Sequence, residues 1–142
     1  MAKRFSYILF LWLVTTAVHA QTTWLKTYGG SKGEEGFDVQ QTEDGGYVVI
    51  GRTYSYGPGY SALYLIKSDS MGDTLWTRTF GGSESDHGFC VHQTFDHGYM
   101  IVGTTYSFSA GSGDVYLVKT DEKGDTLWTR NYGSSIVEAG YS

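Results

Sequence analysis

The heptapeptide GDTLWTR stands at residues 72–78 and again, letter for letter, at residues 124–130. The two copies lie 52 residues apart, and that interval organises everything around them. Laying residues 24–75 over residues 76–127 needs no gap and leaves 26 of the 52 aligned positions identical. Trp24, Trp76 and Trp128 mark the period; Gly29, Gly81 and Gly133 follow them at a fixed offset. A third copy opens at Trp128 and runs WTRNYGSSIVEAGYS. The units are therefore 24–75, 76–127 and a partial unit 128–142. Helical repeats are typically shorter, and a chain with 20 Gly, 12 Tyr and one Pro favours short strands joined by tight turns.

Each unit reads as four strands. FDVQQT (37–42) alternates, with Phe37, Val39 and Gln41 on one side and Asp38, Gln40 and Thr42 on the other. EDGG (43–46) is a hairpin turn, because Asp-Gly supplies the positive φ that tight turns require. YVVIGRTY (47–54) and ALYLIK (62–67) are apolar on consecutive residues, which predicts strands covered on both faces. SDSMGD (68–73) turns the chain into TLWTRTF (74–80). The second unit repeats the plan with FCVHQT, YMIVGTTY, DVYLVK and TLWTRNY. A period near 50 with four strands per unit is that of β-propeller blades. The expected fold is all-β: about two four-stranded antiparallel blades plus a partial third, an incomplete propeller. Trp24, Trp76 and Trp128 are the expected docking residues, each wedged against the adjoining sheet. The GG pair after each would let the chain leave the sheet sharply.

Residues 1–20 stand apart. Lys3 and Arg4 precede an apolar run, YILFLWLV (7–14), and the small-residue end VHA (18–20) precedes Gln21. That is the layout of a secretory signal peptide, and the apolar run is shorter than the roughly 20 residues of a membrane span. The expected mature domain is 21–142, secreted, extracellular or at the cell surface, with the periplasm as the alternative. The net charge of −5 becomes more negative once those two cations are removed, which disfavours nucleic acid and anionic membranes as partners. Cys90 is the only cysteine, so no internal disulfide holds the domain.

DGGYVVIGRT, YLIKSDSMGDTLWTRTFGG and their second copies resemble the secreted bacterial β-propeller repeats whose units run D-G-G-Y-hydrophobic-G-x-T and then Y-L-x-K-x-D-x-x-G-x-x-x-W. The D-x-x-G-x-x-x-W ending is also similar to the tryptophan-docking repeat of quinoprotein dehydrogenase propellers. The resemblance spans residues 24–141 and specifies the repeat class rather than a ligand. It implies a bacterial secreted or cell-surface protein. A propeller takes about four to eight blades, more than two units provide. The expectation is an N-terminal part of a larger protein, completed by its remaining blades. The alternative is a ring of several copies of the chain, as some small lectins form.

His87, Cys90, His92 and His97 invite a metal reading, since Cys90 and His92 lie two apart on a strand and share a face. Their counterparts in the first unit are Glu35, Asp38, Gln40 and Gly45, no equivalent set, and no metal site or cofactor is expected. The acidic turns DSMGD and DEKGD lack the ligand spacing of a calcium loop. No nucleophile motif appears, and the chain itself is not expected to be an enzyme. The best ligand candidates are the loops 53–62 and 105–114, which differ between units and carry Tyr54, Tyr56, Tyr60, Tyr106 and Phe108. Such aromatics among small polar residues suit a glycan or protein ligand. The expected function is a non-catalytic binding or scaffold module. The alternative is part of a propeller enzyme, quinoprotein or polysaccharide-active, with catalytic residues on other blades.

Overall fold

A computed structural model describes residues 23–109 and 111–134. The leader expected at 1–20 and the end of the partial third unit lie outside the described residues. The chain forms two antiparallel four-stranded sheets, each a simple meander, and no helix is present among the described residues. The first sheet holds β1 (Glu34–Gln41), β2 (Tyr47–Thr53), β3 (Ala62–Ser68) and β4 (Thr74–Phe80). The second holds β5 (Asp86–Gln93), β6 (Tyr99–Thr105), β7 (Asp114–Thr120) and β8 (Thr126–Tyr132). Corresponding strands of the two sheets are related by the 52-residue repeat.

The turns form for local reasons. In the β1–β2 turn, Gly45 takes φ +80° and the Asp44 carboxylate accepts the Gly46 N–H at 3.0 Å. His97 replaces that glycine in the second unit and holds φ 61°, a left-handed conformation uncommon for a residue with a Cβ. In the β3–β4 turn, the Asp69 carboxylate accepts the N–H groups of Met71 and Asp73 at 2.8 and 2.9 Å, while Gly72 sits at φ +77°. Asp121 and Gly124 repeat this geometry. The first acid of each turn is thus bound to backbone.

β1 begins three residues earlier than its alternation suggests and carries a bulge between Gly36 and Asp38; β5 does the same between Gly88 and Cys90. The bulge breaks strict alternation at Phe37, whose ring meets Phe89 edge-on at 5.5 Å across the two sheets. It also presses a carbonyl onto the central strand. A Cβ on Gly51 would lie 1.8 Å from the Glu35 oxygen, and one on Gly103 would lie 2.0 Å from the His87 oxygen. The glycine of each Y-hydrophobic-G-x-T strand is therefore fixed by the bulge opposite it.

The core lies between the sheets. One face of the first sheet (Val48, Ile50, Leu63, Leu65) meets one face of the second (Val91, Tyr99, Ile101, Tyr116, Val118). Asp38 and Gln40 reach across from β1 and accept the N–H groups of Val91 and Gln93 at 3.0 and 2.7 Å. Val48, Ile50, Leu63 and Leu65 are fully buried, whereas their counterparts Met100, Val102, Val115 and Leu117 are only half-buried. The expectation of two-sided cover thus holds for β3, every residue of which is buried, and fails for β2 and for the first halves of β6 and β7, where buried and half-buried residues alternate.

GDTLWTR supplies both halves of a joint. The Trp76 ring reaches over Gly124, where a Cβ would come within 2.7 Å of it, and meets the Tyr99 ring edge-on at 5.7 Å. Arg78 stacks on Trp76 and pairs with Asp125 at 3.0 Å. The same joint occurs one unit earlier: Trp24 lies over Gly72 and against Tyr47, and Lys26 pairs with Asp73 at 2.6 Å. Gly72 and Asp73 therefore receive the preceding tryptophan segment, while Trp76 and Arg78 of the same heptapeptide dock onto the next turn. Trp128 has Arg130 stacked on it, with 38% of its surface exposed.

A second repeated device is a buried lysine. Lys67 and Lys119 carry their ammonium groups to the hairpin aspartates, each making an ion pair near 2.8–2.9 Å with Asp44 or Asp96 and a bond to the Ser68 or Thr120 carbonyl. The Lys67 and Thr42 contacts hold the Asp44 carboxyl at about 2, and the Thr94 and Lys119 contacts hold Asp96 there as well. Both lie below the ordinary aspartate value of 3.8, so their contribution to folding is complete above that pH and is lost as the pH falls through about 2. The thermal midpoint is expected to drop over that window. Replacing both aspartates by asparagine should flatten the drop, as a melting series against pH will show.

Candidate functional site

The β2–β3 and β6–β7 loops emerge at the same end of the two sheets and are fastened from below. Thr53 and Thr105, both fully buried, accept backbone N–H groups of their loops: Ser55 and Tyr56 in one, Ser107 and Phe108 in the other. Neighbouring segments lock them further. Ser107 Oγ accepts the N–H groups of Gly82 and Glu84 at 3.1 and 3.0 Å and donates to the buried Asp86 carboxylate at 2.6 Å. The first loop lies on the β4–β5 connection, where a Cβ on Gly59 would strike the carbonyls of Gly82 and Glu84. Loops held this way present side chains from a fixed frame.

The five aromatics selected from sequence divide into two groups. Tyr56 and Phe108 are equivalent and lie tilted against Tyr64 and Tyr116 at 5.5 and 5.7 Å, each with one side still exposed, as Tyr106 is. The Tyr56 hydroxyl also donates to the Gly29 carbonyl at 3.0 Å, and Phe108 lies against Gly82. These two wedge the Gly-Gly exits of the tryptophan strands. Tyr54, Tyr60 and Tyr106 face the loop end. Tyr60 is 73% exposed and stands edge-on to Tyr54 at 5.7 Å; its counterpart is Ser112, so Tyr106 has no such ring over it.

Beside these rings the structure assembles polar groups that sequence reasoning did not single out as a site. Arg52 stacks on Tyr54 at 5.1 Å, pairs with Glu35 at 2.8 Å, and places a guanidinium nitrogen 3.4 Å from His87 Nε2. Glu35 and His87 are equivalent positions of the two units, so one arginine spans the join between them. Burial, and secondarily the Arg52 charge, lower the His87 pKa and so favour the neutral imidazole. His87 also lies 6.3 Å from the Tyr106 ring. Glu84, Ser85, His87 and Tyr106 enclose an open cavity of about 330 Å³. The arrangement offers an aromatic face, a carboxylate acceptor, a hydroxyl and a neutral imidazole within one concavity. Recurrence alone could not reveal it, because Arg52 and Glu84 are positions where the two units differ.

The histidines and the cysteine do not converge. Cys90 and His92 share a face, as their spacing predicts, on the side of β5 that corresponds to Asp38 and Gln40 of β1. His87 belongs to the loop end, while His97 lies in the opposite hairpin, 3.1 Å from Glu43. No group of three or more His, Cys, Asp or Glu side chains is placed to hold a metal among the described residues. A cavity of about 620 Å³ opens at that hairpin end, lined by Gln40, His92, Gln93 and the fully exposed Phe95 among others. Comparison with protein-family models finds no match, and comparison with curated proteins finds no similar sequence.

Proposed function

We propose that the chain is a β-propeller repeat module of a secreted or cell-surface protein, and that it binds a glycan or a protein segment at its loop end without catalysis of its own. Each sheet is then one blade, with β1 and β5 innermost, and the chain is one arc of a ring completed by further blades, of a larger protein or of other copies of the chain. The observation that carries the binding reading is the pair of accessible rings, Tyr60 and Tyr106, on loops fastened by buried threonines beside the cavity of Glu84, Ser85 and His87. Tyrosine supplies contact area at small cost in side-chain entropy, and carboxylate and imidazole groups suit the hydroxyls of a neutral sugar.

The test is affinity electrophoresis through gels cast with neutral polysaccharides, followed by calorimetry on any that retard the protein. Tyr106→Ala is expected to weaken binding about tenfold, the size of an ordinary interface hot spot. Phe108→Ala should instead lower stability, because that ring packs on Tyr116. Retardation that survives both Tyr60→Ala and Tyr106→Ala would place the ligand elsewhere. The enzyme alternative has one supporting observation, the acid, arginine and histidine gathered at Glu35, Arg52 and His87. It requires bond cleavage in a bound polysaccharide that His87→Ala abolishes while leaving retention intact.

A further inference from the structure

We infer that copies of this chain associate head to tail, the outer face of the second sheet in one copy docking on the outer face of the first sheet in the next. The complementarity of those faces can be read from the joint the chain already contains. In that joint Val48, Ile50, Leu63 and Leu65 pack on Val91, Tyr99, Ile101, Tyr116 and Val118. The equivalents of the first set, Met100, Val102, Val115 and Leu117, lie half-buried on the open side of the second sheet. The equivalents of the second set are Val39, which is 60% exposed where Val91 is 3% exposed, the half-buried Tyr47 and Val49, and Tyr64 and Ile66, which are already buried within the chain. The aliphatic part of each face thus has the counterparts of a joint of known shape, while Asp38 and Gln40, which bond across that joint, are replaced by Cys90 and His92.

The edge of the joint repeats the same logic. Trp128 and Arg130 correspond to Trp76 and Arg78, whose receptor is a Gly-Asp turn with a tyrosine beside it. Gly72, Asp73 and Tyr47 form that receptor in the first sheet, where they hold Trp24 and Lys26 of the same chain. The segment carrying Trp24 has no strand pairing, being fixed by the ring, one exposed ion pair, the Tyr28 hydroxyl on the Gly72 carbonyl and the Tyr56 hydroxyl on the Gly29 carbonyl. An incoming Trp128 replaces a like group and brings a whole sheet face with it. Trp24 therefore acts as a competitor for the docking site. Because the contact joins different surfaces, it propagates into a closed ring or an open string rather than a symmetric pair.

Sedimentation velocity of the purified chain across a hundredfold range of concentration tests this. The intact chain is expected to associate weakly, Trp24→Ala to associate at least tenfold more tightly, and Trp128→Ala to remain monomeric. Should a tryptophan variant lose its fold, the exposed ion pair gives a second route. Arg130→Asp should abolish association, and mixing it with Asp73→Arg should restore it as a heterologous contact. Monomers at every concentration for both the intact chain and Trp24→Ala overturn the proposal, leaving the faces to further units of a longer chain. Equal association of Trp128→Ala and the intact chain overturns it as well.

Discussion

Gly103→Ala is expected to cost about 3 kcal/mol of stability, more than a single methyl group costs at most positions, because the clash is with backbone. The added Cβ would sit 2.0 Å from the His87 carbonyl oxygen and 3.1 Å from the Gly88 Cα. No rotamer relieves that contact. Either β5 moves away from β6 at its bulge, or β6 shifts toward β7 and disturbs Tyr116 and Val118 in the core. A control separates this from the general cost of losing glycine. At Gly36 a Cβ meets only a Val49 methyl at 3.8 Å, so Gly36→Ala should change stability by less than about 1 kcal/mol. Urea unfolding of both variants at constant slope is the measurement. Equal midpoints would mean that the bulge carbonyl does not fix the glycine.

That result bears on what the sequence could reveal. The strands, their meander and their turns were legible because each rests on local chemistry: alternation, a hairpin Asp-Gly, an Asp-x-x-Gly turn, and two copies in register. The bulges were not legible. Phe37 reads as an ordinary strand beginning, and the reason for Gly51 lies on the neighbouring strand. The unequal burial of β3 and β7 was hidden for a related reason: the strands share Tyr, Leu and Lys at equivalent positions, but Tyr64 and Ile66, on the side of β3 away from the second sheet, are also buried, whereas Val115 and Leu117 of β7 stay half-buried.

The loop end was legible in part. Sequence selected Tyr54, Tyr56, Tyr60, Tyr106 and Phe108 because the loops vary and carry rings. It could not tell that Tyr56 and Phe108 turn down onto Tyr64 and Tyr116 while Tyr60 turns outward. That sorting depends on the threonine-capped loop geometry, which places the third loop residue over the strand below. Arg52, Glu35 and His87 meet only because two sheets stack with their first strands side by side. The usable hint was that Glu35 and His87 are the same position in consecutive units, opposite the pre-threonine residue of the paired strand.

Trp76→Ala is expected to lower stability by about 2 to 3 kcal/mol, the transfer value for roughly half of an indole's surface. Its more telling effect should be on cooperativity. Trp76 lies at the edge of the core the two sheets share, touching Tyr99 and Gly124 of the second while belonging to the first. Removing it also frees Arg78 from the ring it stacks on and weakens the pair with Asp125. Stability of stacked repeats divides into what each unit supplies and what each joint supplies, and the joint makes neighbours unfold together. Calorimetric unfolding of Trp76→Ala should therefore broaden, with a van't Hoff enthalpy below the calorimetric one. Trp128→Ala, measured at a concentration where the chain is monomeric, removes the same residue where no receiving turn lies beneath it among the described residues. It should cost less than about 1 kcal/mol and leave the transition sharp. If the two substitutions behave alike, the tryptophan serves its own strand and the joint is held by the sheet faces alone.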